Sequence, residues 1–202
     1  MTTLLLATRN QGKKREIEKF LLDSPLQIRL LSVDEVDAAG EIEESGATFA
    51  ANARLKADFY SRLSGLDTLG DDSGLEVMAL DGRPGVLSAR YAGIGADDDA
   101  RIAKLLAEMK GVADRRARFV SAVCISRNGS PLASFSGEVA GEILFAKRGE
   151  GGFGYDPLFL YPPLGKTFAE LAVDEKNLIS HRARALRQVR DFLAGGGLRP
   201  LD

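Results

Sequence analysis

Phe119-Val120-Ser121-Ala122-Val123-Cys124-Ile125 and Leu132-Ala133-Ser134-Phe135-Ser136-Gly137-Glu138-Val139 are two strand-like runs on either side of Asn128-Gly129. A tight two-residue turn needs positive φ at its central positions, which asparagine and glycine tolerate, so the runs are expected to pair antiparallel. Upstream, Thr3–Thr8 is an apolar run of buried-strand length, Lys13–Leu22 carries Ile17, Phe20 and Leu21 at helical spacing, and Gln27–Leu31 reads as a second strand. Thr48 is placed to cap a helix running to about Ser64, whose Phe49, Ala53, Ala57 and Tyr60 form one apolar row. Asp97, Asp98 and Asp99 precede Ile102, Leu105, Leu106 and Met109, which assigns the acidic triplet to capping and dipole complementation rather than metal. Ser180 is placed to cap a last helix that turns Leu186, Val189 and Leu193 inward and ends at Gly195-Gly196-Gly197. Helices alternate with the early strands while a hairpin occupies the middle, so the expected fold is α/β with a mixed β-sheet.

The 202 residues, 45% apolar and 28% charged, suit one globular domain with a flexible tail over 194–202. A net charge of -2 provides no general basic field for nucleic acid. Cys124 is the only cysteine and sits in an apolar segment, which excludes a disulfide framework, a thiolate metal site and a redox pair. Met1–Thr8 lacks a basic leader region and is too short to span a bilayer, so it reads as the first strand of a cytoplasmic protein with no membrane partner.

Four stretches carry candidate chemistry. Gly70-Asp71-Asp72-Ser73-Gly74-Leu75 follows the apolar run Leu66–Leu69 and precedes Leu75–Leu80. Two adjacent carboxylates leaving a strand suit a hard cation and an activated water, and the same residues suit a polar turn. Thr8-Arg9-Asn10-Gln11-Gly12-Lys13 opens a helix whose first N–H groups, with Lys13, can meet an anion. It is not a Walker A loop, and an ordinary solvated helix start fits as well. Asn52 and Lys56, four apart, share one helix face, either toward a ligand or toward solvent.

In Gly149-Glu150-Gly151-Gly152-Phe153-Gly154-Tyr155-Asp156-Pro157, glycines let backbone approach a flat ligand, and Phe153 or Tyr155 is suited to stack on it. A glycine-rich hairpin end with two core aromatics is the alternative. The last stretch, Asp174-Glu175-Lys176-Asn177-Leu178-Ile179-Ser180-His181-Arg182, holds the only histidine. One histidine does not build a zinc site, and no nucleophile elbow accompanies it for a serine triad.

In this order and spacing the motifs resemble the inosine triphosphate pyrophosphatase family, along essentially the whole chain. The matching segments are Thr8–Lys13, Glu43 through Asn52 with Ala53, Asp71–Leu75, Gly152–Pro157, and Ser180-His181-Arg182 with Lys176 before it. The resemblance implies an elongated central mixed sheet flanked by helices, two lobes with an active-site cleft between them, and a homodimer. It also implies a dITP/XTP diphosphatase that uses Mg2+ and water to split a non-standard purine nucleoside triphosphate (ITP, dITP, XTP) into monophosphate and pyrophosphate. Asp72 then matches the catalytic and metal-associated acid, and Glu43 the metal-associated glutamate, with Asp71 or Glu44 assisting. Thr8, Arg9, Asn10, Gln11, Gly12, Lys13 and Lys56 would address phosphates, and Ser73 matches a substrate-binding position.

The base pocket implied by the resemblance comprises Phe153, Gly154, Tyr155, Asp156, Lys176, His181 and Arg182. Donors aimed at a 6-keto group mismatch the 6-amino group of adenine, a discrimination worth roughly four to five decades when buried partners are left unpaired. A Maf-like pyrophosphatase of other base specificity is the nearer rival, and the His181-Arg182 pair argues against it. A non-catalytic nucleotide-binding module is the rival from another class. It has no need of paired carboxylates beside phosphates, because that charge opposes polyanion binding.

Overall fold

The computed structural model describes residues 2–23, 26–36, 40 and 42–198. Strand β1 (Thr2–Leu6) runs parallel to β2 (Ile28–Ser32), with Leu4 opposite Leu30, and parallel to β3 (Thr68–Val77). Strands β4 (Arg116–Arg127) and β5 (Ser130–Ile143) flank the turn at Asn128 and Gly129, whose φ values are 50° and 78°. The short strands β6 (Phe159–Tyr161) and β7 (Lys166–Thr167) add antiparallel pairings. Among the described residues seven strands lie in the order β2-β1-β3-β4-β5-β6-β7, a mixed sheet as the hairpin and alternating helices lead one to expect.

Helices α1 (Gln11–Leu22), α2 (Phe49–Ser64) and α3 (Asp98–Glu108) start where the sequence supplies caps. The Asn10, Thr48 and Asp97 side chains accept from the Lys13, Ala51 and Ala100 amides, satisfying donors the helix leaves over. Helices α4 (Val173–Ile179) and α5 (His181–Ala194) follow. No helix among the described residues is long and apolar enough to cross a membrane.

One expectation is corrected at the aspartates. Asp71-Asp72-Ser73-Gly74 is not a turn between two strands but the middle of β3, which runs unbroken from Thr68 to Val77. The strand continues because its glycines meet close neighbours and its charges are answered in place. A Cβ on Gly70 would stand 2.2 Å from the Ala53 carbonyl oxygen, and one on Gly74 2.3 Å from Ser88 Oγ. Gly70→Ala should therefore destabilise the protein by about 3 kcal/mol, the upper end of overpacking, because the obstacle is α2 backbone. A urea midpoint equal to the parent's would contradict this packing. Ser88–Arg90 lie in a 3-10 helix spanning Gly85–Arg90.

The chain divides into two compact units. The first comprises residues up to Asp72, Ser121–Gly137 and residues from Arg182 onward; the second comprises Ser73–Val120 and Glu138–His181. In the first, Leu4, Leu6 and Leu69 pack with Ile17 and Leu21 of α1 and with Ala185, Leu186 and Val189 of α5. Leu198 is buried in the same cluster, while 199–202, the end of the tail expected to be flexible, lie outside the described residues. Alternate residues of β1, Leu5 and the following Ala7, pack instead with Tyr60 of α2. The second unit's core joins Leu75 and Val77 to Ile102 and Leu105 of α3 and to Phe119, Phe159 and Phe168.

Candidate active site

Side chains alternate along a strand, so adjacent aspartates on β3 point to opposite faces. Asp72 shares the α2 side with Gly70. There Asn52 Nδ2 donates to Asp72 Oδ2 at 3.1 Å, and Lys56 Nζ lies 3.6 Å from Asp72 Oδ1. Lys56 also meets Glu44 Oε1 at 2.7 Å, and the Gly46 amide donates to Asn52 Oδ1 at 2.7 Å. The extended segment before α2 is thereby tied to the strand through one buried asparagine. Asn52 and Lys56, read as sharing a helix face, do converge on one group.

Asp71 shares the α1 and α5 side with Leu69. Lys13 Nζ lies 3.0 Å from its Oδ1, Ser121 Oγ donates to Oδ2 at 2.8 Å, and Arg182 Nε lies 3.5 Å from Oδ2. Arg182 also pairs with Glu16 of α1, and its side chain is 2% exposed. Lys13 is 3.8 Å from Asp72 Oδ1 as well, so one lysine addresses both carboxylates.

The two acids are driven apart electrostatically. Burial pushes the Asp72 carboxyl above its ordinary value; Lys13 and Lys56 pull it back, and Glu44 adds to the rise. Burial acts the same way on Asp71, but Lys13, Arg182 and Lys56 outweigh it and hold that carboxyl well below the usual range. Asp71 is thus held as an anion by its cationic neighbours, and burial makes Asp72 the more basic carboxylate of the two.

Among the described residues no three His, Cys, Asp or Glu side chains gather into a ready cation cage. The acids that converge are Asp72 and Glu44, both on Lys56, while Glu43 is exposed in the segment beside them. Nearby, Thr8 Oγ accepts from the Asn10 amide at 3.2 Å and Asn10 caps α1. Gln11 and Gly12 form its first turn, and exposed Arg9 reaches the Gly40 carbonyl at 3.4 Å and Asp34 at 3.9 Å.

In the second unit the glycine-rich loop is held by carboxylates. Asp156 Oδ2 accepts from the Phe153 amide at 2.9 Å and from Lys176 Nζ at 2.6 Å. Lys176 Nζ also lies 4.9 Å from the centre of the half-buried Phe153 ring. Tyr155 is a core residue whose hydroxyl donates to the Ser88 carbonyl at 3.0 Å. His181 stacks on Phe119 at 4.7 Å between ring centroids, and Ser73 is half-buried on β3.

A sequence profile of the Ham1 family matches residues 4–192. The chain belongs to the Ham1 family. This Ham1 chain is 50% identical over 190 residues to a dITP/XTP pyrophosphatase of Syntrophobacter fumaroxidans, covering 94% of this chain and 81% of that protein. It is 48% identical over 200 residues to a dITP/XTP pyrophosphatase of Geobacter sulfurreducens, covering 98% and 100%. The solved HAM1 protein from Coxiella burnetii superposes with a TM-score of 0.88 at 40% identity, covering 96% of this chain and all of that one (100%). The nucleoside-triphosphatase / dITP/XTP pyrophosphatase from Mycobacterium abscessus gives a TM-score of 0.75 at 39% identity, covering 93% and 98%.

Several groups in this Ham1 site escape a reading of the sequence. Ser121 lies in a run of strand residues where its hydroxyl looks like an ordinary small side chain, and Glu16 looks like a solvated helix residue beside Ile17. Each has meaning only through a partner distant in the chain, Asp71 at 50 residues and Arg182 at 166. Arg182, grouped with the base pocket by its motif, is placed by the structure beside Glu16 and Asp71.

Proposed function

We propose that this Ham1 protein hydrolyses non-standard purine nucleoside triphosphates, dITP, ITP and XTP, to the monophosphate and pyrophosphate. The carrying observation is a buried carboxylate, Asp72, fixed by Asn52 and faced by lysines from two helices. The names of the relatives point to the same reaction.

Lys13, Lys56 and the capped start of α1 take the phosphates. As phosphate oxygens engage the lysines, the cationic pull on Asp72 is shared and its carboxylate becomes a better base. Oδ2 is occupied by Asn52, so Oδ1 accepts the proton of the attacking water. The water oxygen forms the new bond to phosphorus, the bond between the α and β phosphates breaks, and pyrophosphate leaves with the electron pair. Asp72 and Glu44, with Glu43 beside them, are the donors for Mg2+, an ion commonly held by one or two carboxylates plus substrate phosphates and water. When bound, it would neutralise phosphate charge and make the attacking water more acidic.

For the base, Phe153 supplies the stacking face, because Tyr155 is committed to the core. Lys176 and Asp156, beside that ring, offer a donor and an acceptor to the polar edge, and His181 lies in the same unit. The Arg182 guanidinium serves the acid network on this reading. The enzyme is further taken as a cytoplasmic homodimer with no nucleic-acid partner.

Purified protein with magnesium should release pyrophosphate from dITP, ITP or XTP at least about tenfold faster in kcat/KM than from dATP, ATP or GTP, and chelation should stop it. Orthophosphate as the product would overturn the assigned bond. Binding without turnover would indicate a nucleotide sensor.

A further inference from the structure

The geometry points to Asp98 as a positioning residue that fixes the aromatic loop from outside it; this inference rests on Phe153 being the base-stacking face. The sequence assigns Asp98 to the start of α3 with its neighbours, but the cap there is Asp97, whose Oδ1 accepts the Ala100 amide at 2.8 Å. The Asp98 carboxylate is divided between two other tasks. Oδ1 pairs with Arg101, and Oδ2 accepts the Gly154 amide, 56 residues away, at 2.7 Å.

Arg101 is itself held, with Nη1 on the Ala89 carbonyl at 2.8 Å and Nε on the Asp97 carbonyl at 3.1 Å. The result is a continuous tie from the backbone at Ala89, through Arg101 and Asp98, to the backbone at Gly154. On the other side Asp156 holds the Phe153 amide, and one residue beyond Gly154 the Tyr155 hydroxyl is fixed to Ser88. Two consecutive loop amides are therefore gripped by carboxylates, one from within the loop and one carried by α3. A charge-assisted bond to a backbone amide is among the stronger hydrogen bonds, and it sets the backbone from which the Phe153 ring projects.

A platform fixed before the ligand arrives spares the ordering cost on binding, so the effect belongs in KM. The chemistry at Asp72 is made by other residues, so kcat is insulated. A helix-dipole role for Asp98 needs its negative charge, whereas the hold on the loop needs first of all the acceptor that meets Gly154. Asparagine keeps that acceptor and removes the charge, and its NH2 replaces Oδ1 beside Arg101, so part of the tie is lost with it.

Pyrophosphate release from dITP and amide hydrogen exchange over 152–156 should be measured for the parent, Asp98→Ala and Asp98→Asn. The alanine variant should raise KM about tenfold with kcat within about twofold, and speed exchange across the loop. The asparagine variant should remain within about threefold of the parent in KM and exchange. Parental KM and exchange in Asp98→Ala overturn the inference, and so does an asparagine variant as impaired as the alanine one. A parent that releases no pyrophosphate from dITP removes the base-recognition reading instead; exchange then decides the tie alone, and unchanged exchange in Asp98→Ala overturns it.

Discussion

Asp72→Asn should lower kcat for dITP by about 10³-fold while changing KM far less. The substitution is nearly isosteric, so packing against α2 is kept. Asn52 Nδ2 donates to Asp72 Oδ2, and an amide at position 72 preserves that bond by turning its carbonyl toward Asn52. Its NH2 then stands where Oδ1 faced Lys13 at 3.8 Å and Lys56 at 3.6 Å, and no basic lone pair remains for the water proton. Binding changes much less, because the lost negative charge lessens repulsion of the phosphates while it also weakens the hold on Mg2+, and both lysines are retained. Steady-state kinetics with pyrophosphate detection separates the two effects. A kcat within about tenfold of the parent would remove Asp72 as the base.

The parts of the molecule that a reader of the sequence can find are those governed by short-range rules. Thr48 and Asn10 cap the helices they precede, and Asn128-Gly129 turns the hairpin, because a cap or a turn is decided by residues three or four apart. Lys13, Lys56 and Asp72 stand in three separate motifs, and their convergence within 4 Å is a product of packing α1 and α2 on β3. The turn expected at Asp71-Asp72 failed because Asp and Gly favour turns only when nothing else uses them. Here Gly70 admits the α2 backbone and both carboxylates are engaged by lysines. Asp98 shows the same limit in a helix: its place in the first turn suggested a dipole role, while its acceptor serves Gly154. The choice between Phe153 and Tyr155 was likewise invisible, since only the tertiary fold commits the Tyr155 hydroxyl to Ser88.

Arg182→Met should cost about 3–5 kcal/mol of stability, the loss expected when one member of a buried charge group is removed. Burial opposes the Arg182 charge, but Asp71 and Glu16 outweigh it and keep the guanidinium protonated. Methionine fills much of the space and answers neither acid. Asp71 keeps Lys13 at 3.0 Å and Ser121 at 2.8 Å, so its loss is partial. Glu16 is 9% exposed and loses its guanidinium, so most of the penalty falls there. A domain of ordinary stability has about 5–15 kcal/mol in total, and the urea midpoint should fall accordingly. Glu16→Leu added to Arg182→Met should restore part of the loss, because two apolar side chains in a buried site avoid the desolvation of a carboxylate that has lost its guanidinium. A single variant as stable as the parent, or a double variant weaker than the single one, would show that Glu16 and Arg182 are not coupled. If the coupling holds, Glu16 anchors the arginine that, together with Lys13, keeps Asp71 anionic, and Asp72 is left as the more basic carboxylate of the pair.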